Sequence, residues 1–294
     1  MAHASAEPSG GQQHERGRWA DLRKRVLSAA VLGPLALLAI WLGAAWYTLM
    51  IATGTAILAW EWVHLCGLRL RAWPGPAVPL ALFAAGLAAV AGGYLLALML
   101  LPAGAALAAW AAGADPRRAP GAPTLRLGAG VVYIGLAGIG LIWLRGDTEF
   151  GRAAVLFVVL IVWAADIGAY LLGRLVGGPR LAPAISPNKT WSGAFGGLAA
   201  AVGAGIGVAA AFDPEARQLQ VAALAALLGL ASIAGDLLES AIKRHFHVKD
   251  SSALIPGHGG LLDRVDGLLA AVPAACAVAL AQGMTSGGER FLWT

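Results

Sequence analysis

Apolar residues run along this chain in blocks too long for a water-soluble core, and short polar segments separate them. A helix needs about 20 apolar residues to cross the hydrocarbon of a bilayer. Nine blocks approach that length, at 26–44, 46–65, 76–92, 94–113, 126–144, 152–172, 191–212, 218–240 and 265–282. The pattern predicts an all-α, polytopic integral membrane protein with about nine transmembrane helices. Only Gly92 and Gly93 divide the third block from the fourth. Pro34, Pro79, Pro102 and Pro273 fall within or near blocks, and membrane helices tolerate them because neighbouring groups satisfy the freed carbonyls. The first block is longer than the apolar core of a signal peptide and a second follows at once, so it reads as an uncleaved helix. Three regions follow: a disordered polar tail over 1–20, N-terminal transmembrane helices over 21–150, and C-terminal helices with polar loops over 151–294, where the chemistry concentrates.

Composition sharpens this picture. Of 294 residues, 59% are hydrophobic and 13% charged, against about 45–50% and about 25% in soluble domains. That excludes an ordinary soluble domain and a disordered chain. It also argues against a nucleic-acid partner, although the net charge is +5. The cations report topology instead. With the N-terminus, the segments 66–75, 114–125, 173–190 and 241–264, and Arg126 at the edge of the second of these loops on the cytoplasmic side, 17 of the 21 basic residues face the cytoplasm. Only Arg145, Arg152, Arg217 and Arg290 fall on the other side, a strong positive-inside bias. Cys66 and Cys276 offer neither a disulfide framework nor a CxxC metal site.

Ionisable residues in or beside a membrane are costly and suggest function. Here they gather in the C-terminal half as Asp166, as Gly235-Asp236-Leu-Leu-Glu239-Ser240, and as Asp263-Arg264-Val-Asp266. On a helix Asp236, Ser240 and Lys243 share one face, with Glu239 on its flank. Asp263 and Asp266, three apart at a helix start, can point the same way. Convergent carboxylates at a wet membrane edge suit a hard cation such as Mg²⁺. For Asp263 and Asp266, capping and dipole compensation is an equally good account. It serves less well for Asp236, which opposes the dipole near a helix C-terminus.

The segment from Ser240 to Asp266 is the densest polar stretch. Its cations and its Pro256-Gly257-His258-Gly259-Gly260 turn suggest a polyphosphate site, because glycine amides can approach phosphate oxygens. Positive-inside anchoring explains Lys243 and Arg244 but not the glycines or the interleaved acids. A second polar loop, 177–191, carries Lys189-Thr190. It is no P-loop, since Asn188 stands where glycine is required, and Trp191 could anchor it at the interface. His245 and His247 are two apart with no cysteine near, which argues against zinc. The glycines of 193–207 read as helix-packing positions. Glu61, between Trp60 and Trp62, is expected to pair with Arg69 or a neighbouring helix and carries no catalytic role here.

The run Ser240-x-x-Lys243-Arg244-x4-Lys249-Asp250, followed by Pro256-Gly257-His258-Gly259-Gly260-x-x-Asp263-Arg264-x-Asp266, resembles the signature of the phosphatidate cytidylyltransferase family. Gly235-Asp236-Leu-Leu-Glu239-Ser240, Asp166 with Gly173-Arg174, and Ile185-Ser186-Pro187-Asn188-Lys189-Thr190-Trp191 are similar to it too. The chain departs at Asn188, where a basic residue is common, and at Ser192, where an acid is common. The resemblance is specific over about 160–267 and architectural before that.

The resemblance implies that CTP and phosphatidate react to give CDP-diacylglycerol and pyrophosphate, at the cytoplasmic face of a bacterial inner membrane. It implies Asp236, Asp263 and Asp266 as metal ligands and catalytic residues, Mg²⁺ as the ion and K⁺ as a candidate second one. Lys189, Lys243, Arg244, Lys249 and Arg264 would hold phosphates, Lys249 with a catalytic part, and Ser240 and His258 would complete the substrate site. Asp166 would support the metal or its network. The partners implied are CTP, phosphatidate and membrane lipid, no nucleic acid, and a homodimer as a candidate assembly. A CTP-dependent lipid or polyprenol kinase is the alternative and would also need a base for its acceptor hydroxyl. A transporter would instead spread its acids through mid-span positions.

Overall fold

Backbone amides in hydrocarbon must be satisfied within their own segment, which makes the helix the default for each apolar block. In a computed structural model that describes residues 28, 30–71, 73–114, 124–146, 148–255, 259–285 and 288–294, every one of the nine blocks is helical. They are α1 (Ala30–Leu42), α2 (Ala44–Leu65), α3 (Ala77–Val90), α4 (Tyr94–Gly113), α5 (Thr124–Arg145), α6 (Glu149–Val176), α7 (Trp191–Phe212), α8 (Gln218–His245) and α9 (Leu262–Ala281). The tail expected over 1–20 lies outside the described residues.

Of the nine expected crossings, length and composition support six among the described residues. These are α4 to α9, each long and apolar enough to cross a membrane. α1 and α3 are shorter apolar helices. The 14 residues of α3 rise only ~21 Å, against a hydrocarbon core of about 30 Å. α2 has 22 residues but is not among the six; Thr48, Thr53, Thr55, Glu61 and His64 dilute its apolar run. The architecture is that of a polytopic, overwhelmingly helical membrane protein.

The loop expected between α6 and α7 contains a hairpin, β1 (Arg180–Ala182) and β2 (Ser186–Thr190). The strands are antiparallel, with Arg180 opposite Thr190 and Ala182 opposite Ser186. β2 runs straight into α7, whose first turn is capped by Thr190 as its Oγ1 accepts from Gly193 N at 3.1 Å. α8 also outruns its apolar block. Its 28 residues rise ~42 Å, which carries its last turns beyond the hydrocarbon. Lys243, Arg244 and His245 therefore sit on a helix, not in a loop.

Small residues bring the C-terminal helices together, as membrane packing requires. A Cβ on Gly197 would lie 2.7 Å from the Ala165 carbonyl oxygen, so α6 and α7 pack backbone to backbone. A Cβ on Gly235 would lie 2.6 Å from the Asp266 carbonyl oxygen and 2.8 Å from Ala270 Cβ. α8 and α9 therefore cross in close approach one residue from Asp236 and beside Asp266.

At the far end of α6, Thr148 Oγ1 accepts from Gly151 N at 3.0 Å and donates to the Gly288 carbonyl at 2.8 Å. It caps α6 and ties the C-terminal segment to it. Thr148→Ala should cost about 1–2 kcal/mol, read as a lowered melting temperature of the detergent-solubilised protein with unchanged helical content.

Candidate active site

The close crossing of α8 and α9 sets two carboxylates at one end of the bundle. Asp236 projects from α8, half-buried, and forms an ion pair with Lys189, which β2 delivers from the hairpin. Ser240, one turn further along α8, reaches Asp236 Oδ1 at 3.5 Å. Asp266 comes from the second turn of α9, and its Oδ1 accepts from Gly267 N at 2.7 Å. Asp166, exposed on α6, lies within electrostatic range of Asp236, Asp266 and Lys189. Tyr133 of α5 reaches the same region, and its buried hydroxyl has no hydrogen-bond partner among the described residues. A lone tyrosine inside an apolar block carries no pattern, so sequence reasoning passed over it.

Behind this group lies a second, more deeply buried network. Lys243 is held between Glu239, one turn back on α8, at 2.5 Å and Asp263 Oδ1 at 2.8 Å. Asp263 Oδ2 accepts from Gly260 N at 2.8 Å, Ser251 N at 3.0 Å and Ser251 Oγ at 3.1 Å. Gly260 earns its place here, since a Cβ would meet the Ser251 hydroxyl and come within 2.5 Å of Glu61 Oε1. Its amide serves the Asp263 carboxylate. Glu61, from α2, is fully buried and accepts from Leu262 N at 2.6 Å, Leu261 N at 2.8 Å and Ser252 Oγ at 2.6 Å. Of its two expected partners, the structure gives the neighbouring helix.

The expected face of Asp236, Ser240 and Lys243 thus divides: Ser240 stays with Asp236, while Lys243 turns to Glu239 and Asp263. The expected set of Asp236, Asp263 and Asp266 divides as well. Asp263, in the first turn of α9, is drawn back to Lys243 and the Gly260 amide, and Asp266, three residues on, faces α8. Among the described residues no three His, Cys, Asp or Glu side chains stand together as a ready metal-binding group. The hard oxygens of Asp236 and Asp266, with Asp166 in range, nonetheless have the donor chemistry of a Mg²⁺ site, and Asp236 already holds a cation in the Lys189 ammonium.

Three further cations flank these residues along the chain. Lys249 and Arg264 are exposed and make no ion pair among the described residues. Arg244 is exposed too, and its Nε donates to the Ile185 carbonyl at 3.3 Å, which ties the hairpin to α8. Arg180 Nη1 donates to the Asn188 carbonyl at 3.1 Å within the hairpin. At the second departure from the family pattern, Ser192 donates to the Gly177 carbonyl and bonds Thr190 Oγ1 at 3.0 Å. His258 lies outside the described residues.

Comparison of the sequence with known proteins places this chain among relatives. The sequence model of the cytidylyltransferase family matches residues 23–281. A phosphatidate cytidylyltransferase of Brucella suis is 42% identical over 253 residues, covering 85% of this chain and 90% of the relative. One from Pseudomonas aeruginosa is 35% identical over 277 residues, covering 89% of this chain and 98% of the relative. One from Staphylococcus epidermidis is 38% identical over 143 residues, 49% of this chain and 55% of the relative.

Proposed function

The chain belongs to the cytidylyltransferase family, and from that membership we propose that it transfers the cytidylyl group of CTP to phosphatidate, giving CDP-diacylglycerol and pyrophosphate. The observation that carries this reading is the edge where Asp236 pairs with Lys189 within electrostatic range of Asp266 and Asp166, with Arg264 in range of Asp166 and the exposed Lys249 two residues before Ser251, which bonds Asp263. Acids and cations mixed at the mouth of a helical bundle suit a polyphosphate that must approach a lipid phosphate.

Both reactants are anions, so the barrier is largely charge repulsion and alignment. An ionised phosphatidate oxygen attacks the α-phosphorus of CTP. A new P–O bond forms, the bond from the α-phosphorus to the bridging oxygen breaks, and pyrophosphate leaves with that electron pair. The nucleophile is already ionised, so the site needs no strong base. Asp236 and Asp266, supported by Asp166, would hold Mg²⁺, with K⁺ as a second ion; bound there, the metal would screen the phosphate charges. Lys189 would then exchange Asp236 for a phosphate oxygen, and Lys249, Arg264 and Arg244 would bind and orient the triphosphate and the lipid headgroup. Lys243 and Asp263 would hold the frame from which these groups project. The basic bias of the loops at this end supports a cytoplasmic site in a bacterial inner membrane.

Two results follow. Lys249→Gln should lower kcat/KM by about 1.5–3 kcal/mol, roughly 10- to 150-fold, the range of a charged hydrogen bond. Arg71→Gln, an exposed change outside the site, should leave kinetics within twofold at matched expression. Equal, small effects would reduce the basic segment to an orientation signal. For the reaction itself, purified protein should release one pyrophosphate per phosphatidate converted, with CDP-diacylglycerol as the lipid product by mass spectrometry. Diacylglycerol, which lacks the ionised oxygen, should not be consumed; its conversion would contradict the reading.

A further inference from the structure

Glu61 lies on α2, far along the chain from the acidic residues of α8 and α9, and it has no exposed surface. Burying a carboxylate costs several kcal/mol unless its oxygens are bonded. Here the bonds are all supplied by one short stretch of chain some 200 residues on. Leu261 N and Leu262 N donate at 2.8 and 2.6 Å and Ser252 Oγ at 2.6 Å, and Ser251 Oγ lies 3.5 Å away with its proton shared with the nearer Asp263. No lysine or arginine forms a salt bridge with Glu61 among the described residues. Its charge is met by the amides and the positive end of α9.

Ser251 links this carboxylate to the next one, since its Oγ also lies 3.1 Å from Asp263 Oδ2 and its amide 3.0 Å from the same oxygen. A Cβ on Gly260 would meet the Ser251 hydroxyl and lie 2.5 Å from Glu61 Oε1, while the Gly260 amide donates to Asp263 Oδ2 at 2.8 Å. The chain of contacts runs from Glu61 through Ser251 and Asp263 to Lys243 and Glu239. Lys249 precedes the clamped stretch, Arg264 follows it directly, and Asp266 is one turn into the helix whose start Glu61 holds.

We infer that Glu61 is a positioning residue for the transfer reaction: by binding the start of α9 and the Ser251–Ser252 turn, it sets where Asp266, Arg264 and Lys249 stand relative to Asp236. The inference rests on the activity proposed above. A shift of about 1 Å in groups that align two phosphates can cost on the order of 100-fold in rate. The clamp therefore has kinetic weight beyond its contribution to folding.

Glu61→Gln removes one acceptor and turns an amide N–H₂ toward the Leu261 or Leu262 amide, two donors face to face. Glu61→Asp keeps the charge on a shorter arm. In purified full-length protein, Glu61→Gln should speed amide hydrogen exchange at Ser251, Leu261 and Leu262 and lower kcat/KM for CTP 10- to 100-fold per folded molecule. Glu61→Asp should recover part of that loss. Unchanged exchange would overturn the clamp. Faster exchange with unchanged kcat and KM per folded molecule would make Glu61 structural only and overturn its positioning role. If Glu61→Gln does not fold, Glu61→Asp carries both readouts with smaller expected changes of the same sign. Wild-type protein that forms no CDP-diacylglycerol would overturn the activity reading; active wild type with kinetically silent Glu61 variants overturns this inference alone.

Discussion

Asp236→Asn should lower the rate of cytidylyl transfer by about 1000-fold, the scale on which removing one preorganised charge acts at a phosphoryl or acyl transfer site. The substitution keeps size and hydrogen bonding and removes only the charge. The side chain of Asp236 is 30% exposed and that of its partner Lys189 24%, so the pair adds little to stability and the variant should melt close to wild type. Asp266→Asn should behave alike. The check is the initial rate per milligram at limiting and saturating Mg²⁺, beside a thermal melt. An Asp236→Asn protein that kept near-normal rates at limiting Mg²⁺ would exclude this carboxylate from the proposed metal site.

Asp263→Asn should give a different outcome. The Asp263 side chain is 2% exposed and Lys243 15%, and Asp263 also accepts the Gly260 and Ser251 amides. Asparagine must turn its N–H₂ toward either an ammonium or a backbone amide. Breaking one side of a buried pair costs about 3–5 kcal/mol, comparable with much of the stability of a folded domain. The expected result is a sharp fall in melting temperature and in folded yield. Melting at the wild-type temperature, with activity lost as in Asp236→Asn, would place Asp263 in the open site with Asp236 and Asp266.

That contrast also shows where sequence reasoning reached its limit. The helices were legible because apolar blocks of bilayer length leave few alternatives, and most helix ends fall within a few residues of the expected ones. The hairpin was hidden because Ser186-Pro-Asn-Lys-Thr190 has no apolar alternation; its pairing follows from where α6 ends and α7 begins. α8 outran its apolar block because Lys243 is held by Glu239 one turn back and by Asp263 across the crossing, a long-range contact that spacing does not reveal. The three-residue interval between Asp263 and Asp266 allowed both to face one ion. It could not show that Gly260 and Ser251 claim the first of them. Glu61 stands out in the sequence as an acid between two tryptophans, but its partners lie about 200 residues away, and no local pattern names them.

The central claim is that this edge moves a cytidylyl group and not a phosphoryl group. Purified protein, phosphatidate and Mg²⁺ should be incubated with CTP labelled at the α-phosphorus and, in parallel, at the γ-phosphorus, and the extracted lipid counted. The account predicts α-label in the lipid and γ-label only in aqueous pyrophosphate. Label from the γ-phosphorus in the lipid, with none from the α, would make the protein a CTP-dependent kinase and contradict the account.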